Sequence, residues 1–544
     1  MRFPIRNKKA FVLWTLVALF WIANLAYRPS LWTVVGAIGV MMAIYGLFLL
    51  ISGKTKASLL WLTILGVGLW LLNAGKRVFW KDRLKFEDLM VFTDPSNFET
   101  VFHYPMQAAM ATGLVFALIF LVIKTFIGDR TKLSLEHRFL ISGLTLAFGI
   151  LSAYVALDNG QQKWMTNIGK GSNVIANLLM SSKIQYVSPA AIMANDEKFP
   201  AVASINNAGK PLSDIVLVLQ ESTMDPRRFK GVDAQSLPKL AMFESPWATQ
   251  QGALRVHTYG GGTWRSEFSA LTGLSSDDFG VLAGSVFYSA VFHVQDTMWS
   301  RLKKAGYKII IVTPFAEGSY NSGKAYRYMG ADEIIHVSDL GWAGSNRKNV
   351  WDIPTTNILE MVRSVMDREH NGPIAVYAIT MNEHGPYPSK KNHTLRSNQK
   401  IDTDRLGSLA EYVDRLEKAS ESVVEFDRWI SERVRPTVMV RFGDHQPALS
   451  WKAGYNTTMT RPEYITDYTL VDNQTKEKES TNPLTDIVFL PSMILERVGV
   501  PMGHFYQTQA TMSRLSDGLY ADCQDKRLLH AYQNEIYVNQ KIAE

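Results

Sequence analysis

IVLVLQES, residues 215–222, decides the fold: an apolar run rich in β-branched residues ends on an acidic one, Glu221. A run this short and this uniformly apolar reads as a strand buried on both faces, as in a parallel sheet covered by helices. Three more runs repeat the pattern, YKIIIVTP (307–314), IAVYAIT (374–380) and TVMVRFG (437–443). Between them, 296–306 and 403–430 carry apolar residues at helical spacing with charged outer faces. Strands alternating with helices predict an α/β sandwich. In such sheets ligands collect beyond the carboxyl ends of the strands. Glu221 directly follows the first run, Asp444 and His445 follow the last run and Gly443, and His384 lies four residues past IAVYAIT. One acidic residue after a strand is often only a helix cap; groups gathered at several strand ends argue for a site.

The chemistry of that set is specific. Glu221, Asp444 and His445 offer two hard carboxylates and one imidazole, a donor set for a divalent cation such as manganese, magnesium or zinc. Thr263 lies in HTYGGGTWRSEF (257–268). Gly260, Gly261 and Gly262 let the backbone turn sharply and aim amides at an oxyanion. WRSEFSALTGL reads as a helix with Thr263 at its N-terminus, where free amides favour phosphate. A threonine hydroxyl becomes a useful nucleophile once a metal stabilises its alkoxide; the plainer role for Thr263 is as the helix N-cap. Ser266 and Glu267 are expected to hold the loop. FHVQDTMWSRL supplies His293, Trp299 and Arg301. Arg301 is expected to fork two phosphate oxygens, His293 to donate to a third oxygen or a glycerol hydroxyl, and Trp299 to form an apolar wall. His384, in MNEHGPYP, is expected to protonate the leaving group or to bind the acceptor hydroxyl.

Five segments before about residue 160 are candidates to cross a bilayer: 11–27, 31–51, 57–74, 106–125 and 137–156. A span needs about 20 residues for roughly 30 Å of hydrocarbon, and the two shortest are marginal alone. Basic residues set the orientation. Arg2, Arg6, Lys8 and Lys9, then Lys54 and Lys56, then Arg130, Lys132 and Arg138 fall on one side, taken as cytoplasmic. The opposing loop carries Lys76, Arg77, Lys81, Arg83 and Lys85, so the rule is not cleanly obeyed. Five crossings from a cytoplasmic N-terminus place the rest of the chain outside. The expected organisation is therefore 1–158 transmembrane, 159–210 a connector along the membrane face, and 211–544 catalytic.

The bulk composition of these 544 residues excludes some classes. A net charge of +7 without a concentrated basic stripe argues against nucleic-acid binding. The single cysteine, Cys523, excludes an intramolecular disulfide framework.

With these motifs in hand, the chain resembles the lipoteichoic acid synthase and phosphoglycerol transferase family, membrane-anchored relatives of sulfatases and alkaline phosphatase. The strings that carry the resemblance are the NAGK…FEDLM loop, QES (220–222), GGGTWRSEF (260–268), FH…WSR (292–301), NEHGPY (382–387) and GDHQP (443–447). It implies five N-terminal helices followed by a sulfatase-like α/β sandwich. It implies a metal, usually manganese, on Glu221, Thr263, Asp444 and His445, with Thr263 as nucleophile and His293, Trp299, Arg301 and His384 lining a phosphoglycerol pocket. The spacing from His293 to Trp299 is one residue short of the family pattern, which weakens the role of His293. The implied reaction moves glycerophosphate from phosphatidylglycerol, through a phospho-threonine, to an envelope glycan or glucan outside a bacterial inner membrane. The rival readings are a phosphoethanolamine transferase using phosphatidylethanolamine, and a phosphodiester or phosphomonoester hydrolase. A sulfatase proper would need a C-x-P-x-R or S-x-P-x-R string, which is absent. A scaffold that has lost its chemistry would not need the intact Thr263 and its metal set.

Overall fold

A computed structural model describes the chain apart from residues 1–7, 27–29, 80–81, 91–104, 167–172, 183–185, 203, 207–208, 231, 233–236, 338–349, 369–370, 389–402, 450–453, 476 and 480–482. Arg2, Arg6 and Lys81, counted above for orientation, lie outside the described residues. The chain divides into two units, Met1–Gln185 and Tyr186–Glu544. The division falls inside the stretch 159–210 expected to be a connector, and position 158 lies within a continuous helix, Leu135–Thr166.

In the first unit, four helices among the described residues are long and apolar enough to cross a membrane: Leu31–Ser52, Thr55–Val78, Ala108–Gly128 and Leu135–Gln161. This corrects the expected five. The first segment is an 18-residue helix, Lys8–Leu25, which opens on two lysines and is shorter than each of those four. At 1.5 Å per residue it rises about 27 Å, less than roughly 30 Å of hydrocarbon. The short helix still packs into the unit: Trp21 is buried and donates its indole N–H to Thr63 Oγ1 at 3.1 Å.

Small residues set the tightest contact of this unit. A Cβ built on Gly39 would stand 2.8 Å from Ser152 Cβ and 2.9 Å from the Ala153 nitrogen. The helices Leu31–Ser52 and Leu135–Thr166 thus meet backbone to backbone, a common way to pack where apolar burial gives no net drive between helices. The basic loop after the third helix is internally compensated. Lys76 Nζ lies 2.7 Å from Asp88 and 3.3 Å from Asp82, and Lys85 Nζ lies 3.1 Å from Asp82. Burial opposes the Asp82 charge, yet Lys85 and Lys76 override it and hold that carboxyl well below the usual range.

Among the described residues the second unit is built on one sheet of eight strands in the order β4-β3-β5-β1-β6-β7-β2-β8. The strands are β1 (Asp214–Gln220), β2 (Gln250–Arg255), β3 (Lys308–Thr313), β4 (Glu333–His336), β5 (Ile374–Ile379), β6 (Thr437–Gly443), β7 (Ile465–Asp472) and β8 (Leu484–Asp486). The four runs read from sequence are β1, β3, β5 and β6. Together with β4 they form a parallel block, and β7 alone runs against its neighbours. All positions of β1, β5 and β6 are buried, as their unbroken apolar pattern predicts. The helices Thr355–Arg368 and Thr403–Ser431 contribute Val362, Val365, Leu416 and Phe426 to a core shared with Val216, Val376 and Met439 of the sheet.

Register positions the site. β1 lies between β5 and β6, pairing Leu219 with Ile379 and Gln220 with Gly443. Glu221, the 380–384 loop and Asp444–His445 therefore leave three adjacent strands at one level. Gly443 is required by close approach, since a Cβ there would sit 1.9 Å from the Thr223 carbonyl oxygen.

A Cβ on Gly149 would lie 2.5 Å from the Gly39 carbonyl and 2.6 Å from the Ala43 nitrogen, both backbone atoms that cannot swing aside. Gly149→Val should destabilise the helical unit by roughly 1–3 kcal/mol, read as a lower melting temperature in detergent. Gly143→Val, whose Cβ would meet nothing within 4 Å, is the control expected to leave it unaltered.

Candidate metal centre

Glu221 is the hub. Its Oε2 accepts a hydrogen bond from Thr263 Oγ1 at 3.0 Å. Its Oε1 lies 2.9 Å from His445 Nε2 and 3.7 Å from His384 Nε2. One ligand atom from each of Glu221, His384 and His445 falls within 4.8 Å of the others. Asp444 completes the group with Oδ2 3.3 Å from His445 Nε2. Structure thus brings together five of the eight residues singled out from sequence: Glu221, Thr263, His384, Asp444 and His445.

Neighbouring backbone fixes each group. Asp444 Oδ1 accepts from the amides of Ser222 and His445, both at 2.8 Å. Ser222 pays for that contact with a left-handed φ of 52°. His445 Nδ1 sits 3.0 Å from the Gln446 carbonyl and His384 Nδ1 sits 2.6 Å from the Gly385 carbonyl. With Nδ1 donating to a carbonyl, each ring turns Nε2 toward Glu221, the arrangement usual for metal-binding histidines. Arg415 clamps the His384 loop, donating to the carbonyls of Asn382 at 3.3 Å and Pro386 at 3.1 Å, and also to that of His384. Thr263 is the first residue of the helix Thr263–Thr272, and Gly262, at φ 79°, holds the cap position. The plainer N-cap role for Thr263 therefore gives way, because its hydroxyl points to Glu221.

The residues fit a divalent cation. Asp444 Oδ2 and His445 Nε2 are buried with no well-directed hydrogen bond and meet only as close ion-pair contacts, Nε2 lying 2.9 Å from Glu221 Oε1 and 3.3 Å from Asp444 Oδ2. Burial and then the Glu221 charge push the Asp444 carboxyl up to about 8. Burial disfavours the His445 imidazolium, but Asp444 and Glu221 outweigh it and raise the ring to about 9. For Glu221 burial is overridden by His445, which lowers it. One imidazolium thus keeps only one of the two acids ionised. A dication among these donors would let both carboxylates be anionic and the imidazole neutral.

The remaining three predicted residues have their contacts elsewhere. Trp299 is 2% exposed and packs 6.0 Å from the Tyr326 ring and 5.8 Å from the Tyr377 ring, so it is a core residue. Arg301 Nε donates to both oxygens of Asp296, at 2.9 and 2.7 Å, so its fork is already engaged. His293 stacks on Tyr186 with ring centroids 3.5 Å apart. Among the described contacts, none of these three side chains touches the Glu221 cluster.

Sequence reasoning gave Glu267 a holding role and missed its company. Glu267 lies one helical turn beyond Thr263 and is fully buried. Its Oε1 accepts from Tyr377 at 2.9 Å and from Tyr326. Those tyrosines in turn carry Trp299.

The family model described as Sulfatase matches residues 213–500. An uncharacterised protein of Haemophilus influenzae is 30% identical over 551 residues, covering 98% of both chains. A Rhizobium meliloti protein named for cyclic β-1,2-glucan modification is 25% identical over 320 residues, covering 55% of this chain and 47% of its own. Among solved structures, a Streptococcus pyogenes phosphoglycerol transferase bound to sn-glycerol-1-phosphate aligns at 19% identity and a TM-score of 0.47, covering 64% of this chain and 89% of that one.

Burial pushes the Glu267 carboxyl from its ordinary 4.5 up to about 7, against the tyrosine hydrogen bonds that lower it. Between those values the folded chain holds a proton that the unfolded chain has lost. This contribution to stability is therefore greatest below about pH 4.5 and is lost as pH rises to about 7. Glu267→Gln, neutral throughout, should gain on the wild type across that window, reaching about 3 kcal/mol near pH 8. Urea midpoints measured at several pH values check this; parallel curves for the two proteins would show that ionised Glu267 is accommodated.

Proposed function

The chain belongs to the sulfatase family, and from that premise we propose a membrane-bound, metal-dependent phosphotransferase with Thr263 as its nucleophile. The observation that carries the proposal is the Thr263 hydroxyl donating to Glu221 within a buried cluster of carboxylates and imidazoles. A family member that cleaves sulfate esters through an aldehyde needs a primary carbon bearing oxygen or sulfur. Threonine has a secondary alcohol and cannot supply one, so the hydroxyl itself is assigned the attack.

In the proposed cycle Thr263 Oγ gives its proton to Glu221, whose Oε2 already accepts its hydrogen bond, and attacks the phosphorus of a phospholipid headgroup. The phosphorus–oxygen bond to diacylglycerol breaks, and the departing oxygen takes a proton from His384. An acceptor hydroxyl then attacks the phospho-threonine, giving its proton to His384, while the phosphorus–oxygen bond to Thr263 breaks and Thr263 Oγ takes its proton back from Glu221. Glu221, Asp444 and His445 would hold the ion, proposed as manganese with magnesium and zinc as alternatives, and it would supply positive charge to the nucleophile and to the transferring group. His384, half-buried at the rim of the cluster, is assigned proton transfer rather than ion binding.

The donor expected from sequence is phosphatidylglycerol, leaving glycerophosphate on the enzyme. The second reading is phosphatidylethanolamine: Trp299 is core, and Arg301 and His293 have other partners, so these contacts supply no grip specific to glycerophosphate. The proposed acceptor is an envelope glycan or glucan. The Rhizobium meliloti relative supports that class by its name, over an aligned stretch that is 47% of its length. The proposed location is a bacterial inner membrane with the sulfatase-like unit outside. If only the four long helices cross, the N-terminus shares that side; if Lys8–Leu25 also crosses, it lies in the cytoplasm.

Thr263→Ala should abolish transfer, a loss of at least about 1,000-fold, with folding retained. Mass spectrometry of the wild type given headgroup-labelled phospholipid should place the label on Thr263; a fully active alanine variant would end the nucleophile assignment. Elemental analysis separates the histidines. His445→Ala should lose the ion, whereas His384→Ala should keep it and slow turnover by about 100-fold, and an ion-free His384→Ala protein would make His384 a ligand instead. Reporter fusions after residue 211 should be active only outside the cytoplasm.

A further inference from the structure

His257 opens the string that carries Thr263, yet the transfer cycle gives it no part. Its Nε2 donates to Asp486 Oδ1 at 2.9 Å, and its Nδ1 lies 3.0 Å from Ser275 Oγ. All three residues are buried. They come from separate places in the fold. His257 lies two residues past the end of β2, Asp486 is the last residue of β8, and Ser275 lies three residues past the helix Thr263–Thr272. One imidazole thus joins the start of the segment 257–275 to its end, and both to β8. Its partners are themselves fixed. Asp486 accepts from the amides of Val488 at 3.3 Å and Ala521 at 3.0 Å, and Ser275 accepts from that of Asp277 at 3.2 Å. Among the described contacts His257 touches none of the five groups of the centre.

The stretch between His257 and Thr263 has little of its own to hold it. Gly260, Gly261 and Gly262 have φ of 65°, 149° and 79°, a region that glycine enters freely and is ordered in only at a large entropic cost. Within the loop Thr258 Oγ1 donates to the Gly261 carbonyl. Beyond Thr263 the helix is anchored along its length. Ser266 Oγ donates to the Asp444 carbonyl at 2.5 Å, and the Tyr506 hydroxyl to that of Thr272 at 3.1 Å. The entry to the loop needs a matching hold, and His257 stands there.

A buried imidazole–carboxylate pair adds little stability over well-packed apolar side chains, because desolvation offsets the attraction. Its hydrogen bonds do fix direction, which apolar contact leaves loose. Direction is what Thr263 requires. Its Oγ1 stands 3.0 Å from Glu221 Oε2, and a displacement of about 1 Å at a reacting group costs about 100-fold in rate. Resting on the transfer reading, we propose that His257 is a positioning residue: held by Asp486 and Ser275, it sets the start of the glycine loop so that the Thr263 hydroxyl stays on Glu221. Buried as it is, it acts through the loop and not on the phosphate.

The test uses the full-length protein, manganese-loaded, in a nonionic detergent, with headgroup-labelled phosphatidylglycerol and phosphatidylethanolamine supplied in equal amounts. His257→Leu removes both hydrogen bonds, whereas His257→Gln keeps an N–H near the Nε2 position. Measured well below its melting temperature, His257→Leu should release diacylglycerol with kcat lowered about 100-fold. Its KM should stay within about twofold of the wild type and its manganese content should be unchanged. His257→Gln should recover about tenfold of the loss, and hydrogen exchange of amides 258–262 should quicken in His257→Leu. A folded His257→Leu protein with wild-type kcat, or one whose defect lies in KM or in the ion, overturns the positioning role. If His257→Leu does not fold, His257→Gln decides: a kcat about tenfold below the wild type supports the role, and an unaltered one overturns it. Two readouts separate this proposal from the transfer reading. Diacylglycerol release without label on Thr263 sinks transfer, and amide exchange over 258–262 then decides the clamp by itself. Label reaching Thr263 as fast in His257→Leu as in the wild type sinks the clamp and leaves transfer.

Discussion

Two carboxylates and an imidazole share a few ångströms of buried space at the ends of β1 and β6, and that crowding governs the catalytic unit. Neither acid can be relieved by water, since Glu221 and Asp444 are both 0% exposed. Like charges at this depth cost far more than the sheet's hydrogen bonds return, unless positive charge is placed among them. The surrounding geometry follows from meeting this demand. Gly443 gives up a side chain so that the Thr223 carbonyl can close on it, Ser222 accepts a strained φ, and both imidazoles spend Nδ1 on carbonyls so that Nε2 turns inward. Arg415 performs the matching task from outside by fixing the loop that carries His384.

The parts readable in the sequence were those dictated by short-range physics. Unbroken apolar runs identified β1, β3, β5 and β6 because double-sided burial leaves no polar position to mask the pattern. The strand-end rule then found Glu221, Asp444 and His445, and the three glycines marked Thr263. Long-range placement was not readable. Arg301 looks available as a string, yet Asp296 five residues earlier takes up its guanidinium. Trp299 looks like a wall, but its neighbours Tyr326 and Tyr377 come from stretches of the chain that its own periodicity cannot report. The reversal of β7 was not readable either, since no local signal in ITDYTLVD states its direction.

The membrane unit shows the same division. Apolar length found four long helices; the first segment, Lys8–Leu25, is helical too but opens on two lysines and is the shortest of the five. Counting Lys and Arg made the loop after the third helix look anomalous. Lys76 and Lys85 sit against Asp88 and Asp82, so part of its charge is neutralised inside the protein. The close approach at Gly39 and Gly149 was also hidden, since a small residue announces nothing until its neighbour is known.

The reversed strand has one more effect. Because β7 and β2 separate the Thr263 loop from β6, the five groups of the centre come from positions 221, 263, 384, 444 and 445, and no contiguous fragment holds them together. An ion captured there can bind with full strength only after both halves of the sheet have joined, so its affinity is spent on the finished architecture and withheld from every partial one. Removing such an ion would then lower the stability of the folded unit together with its proposed activity.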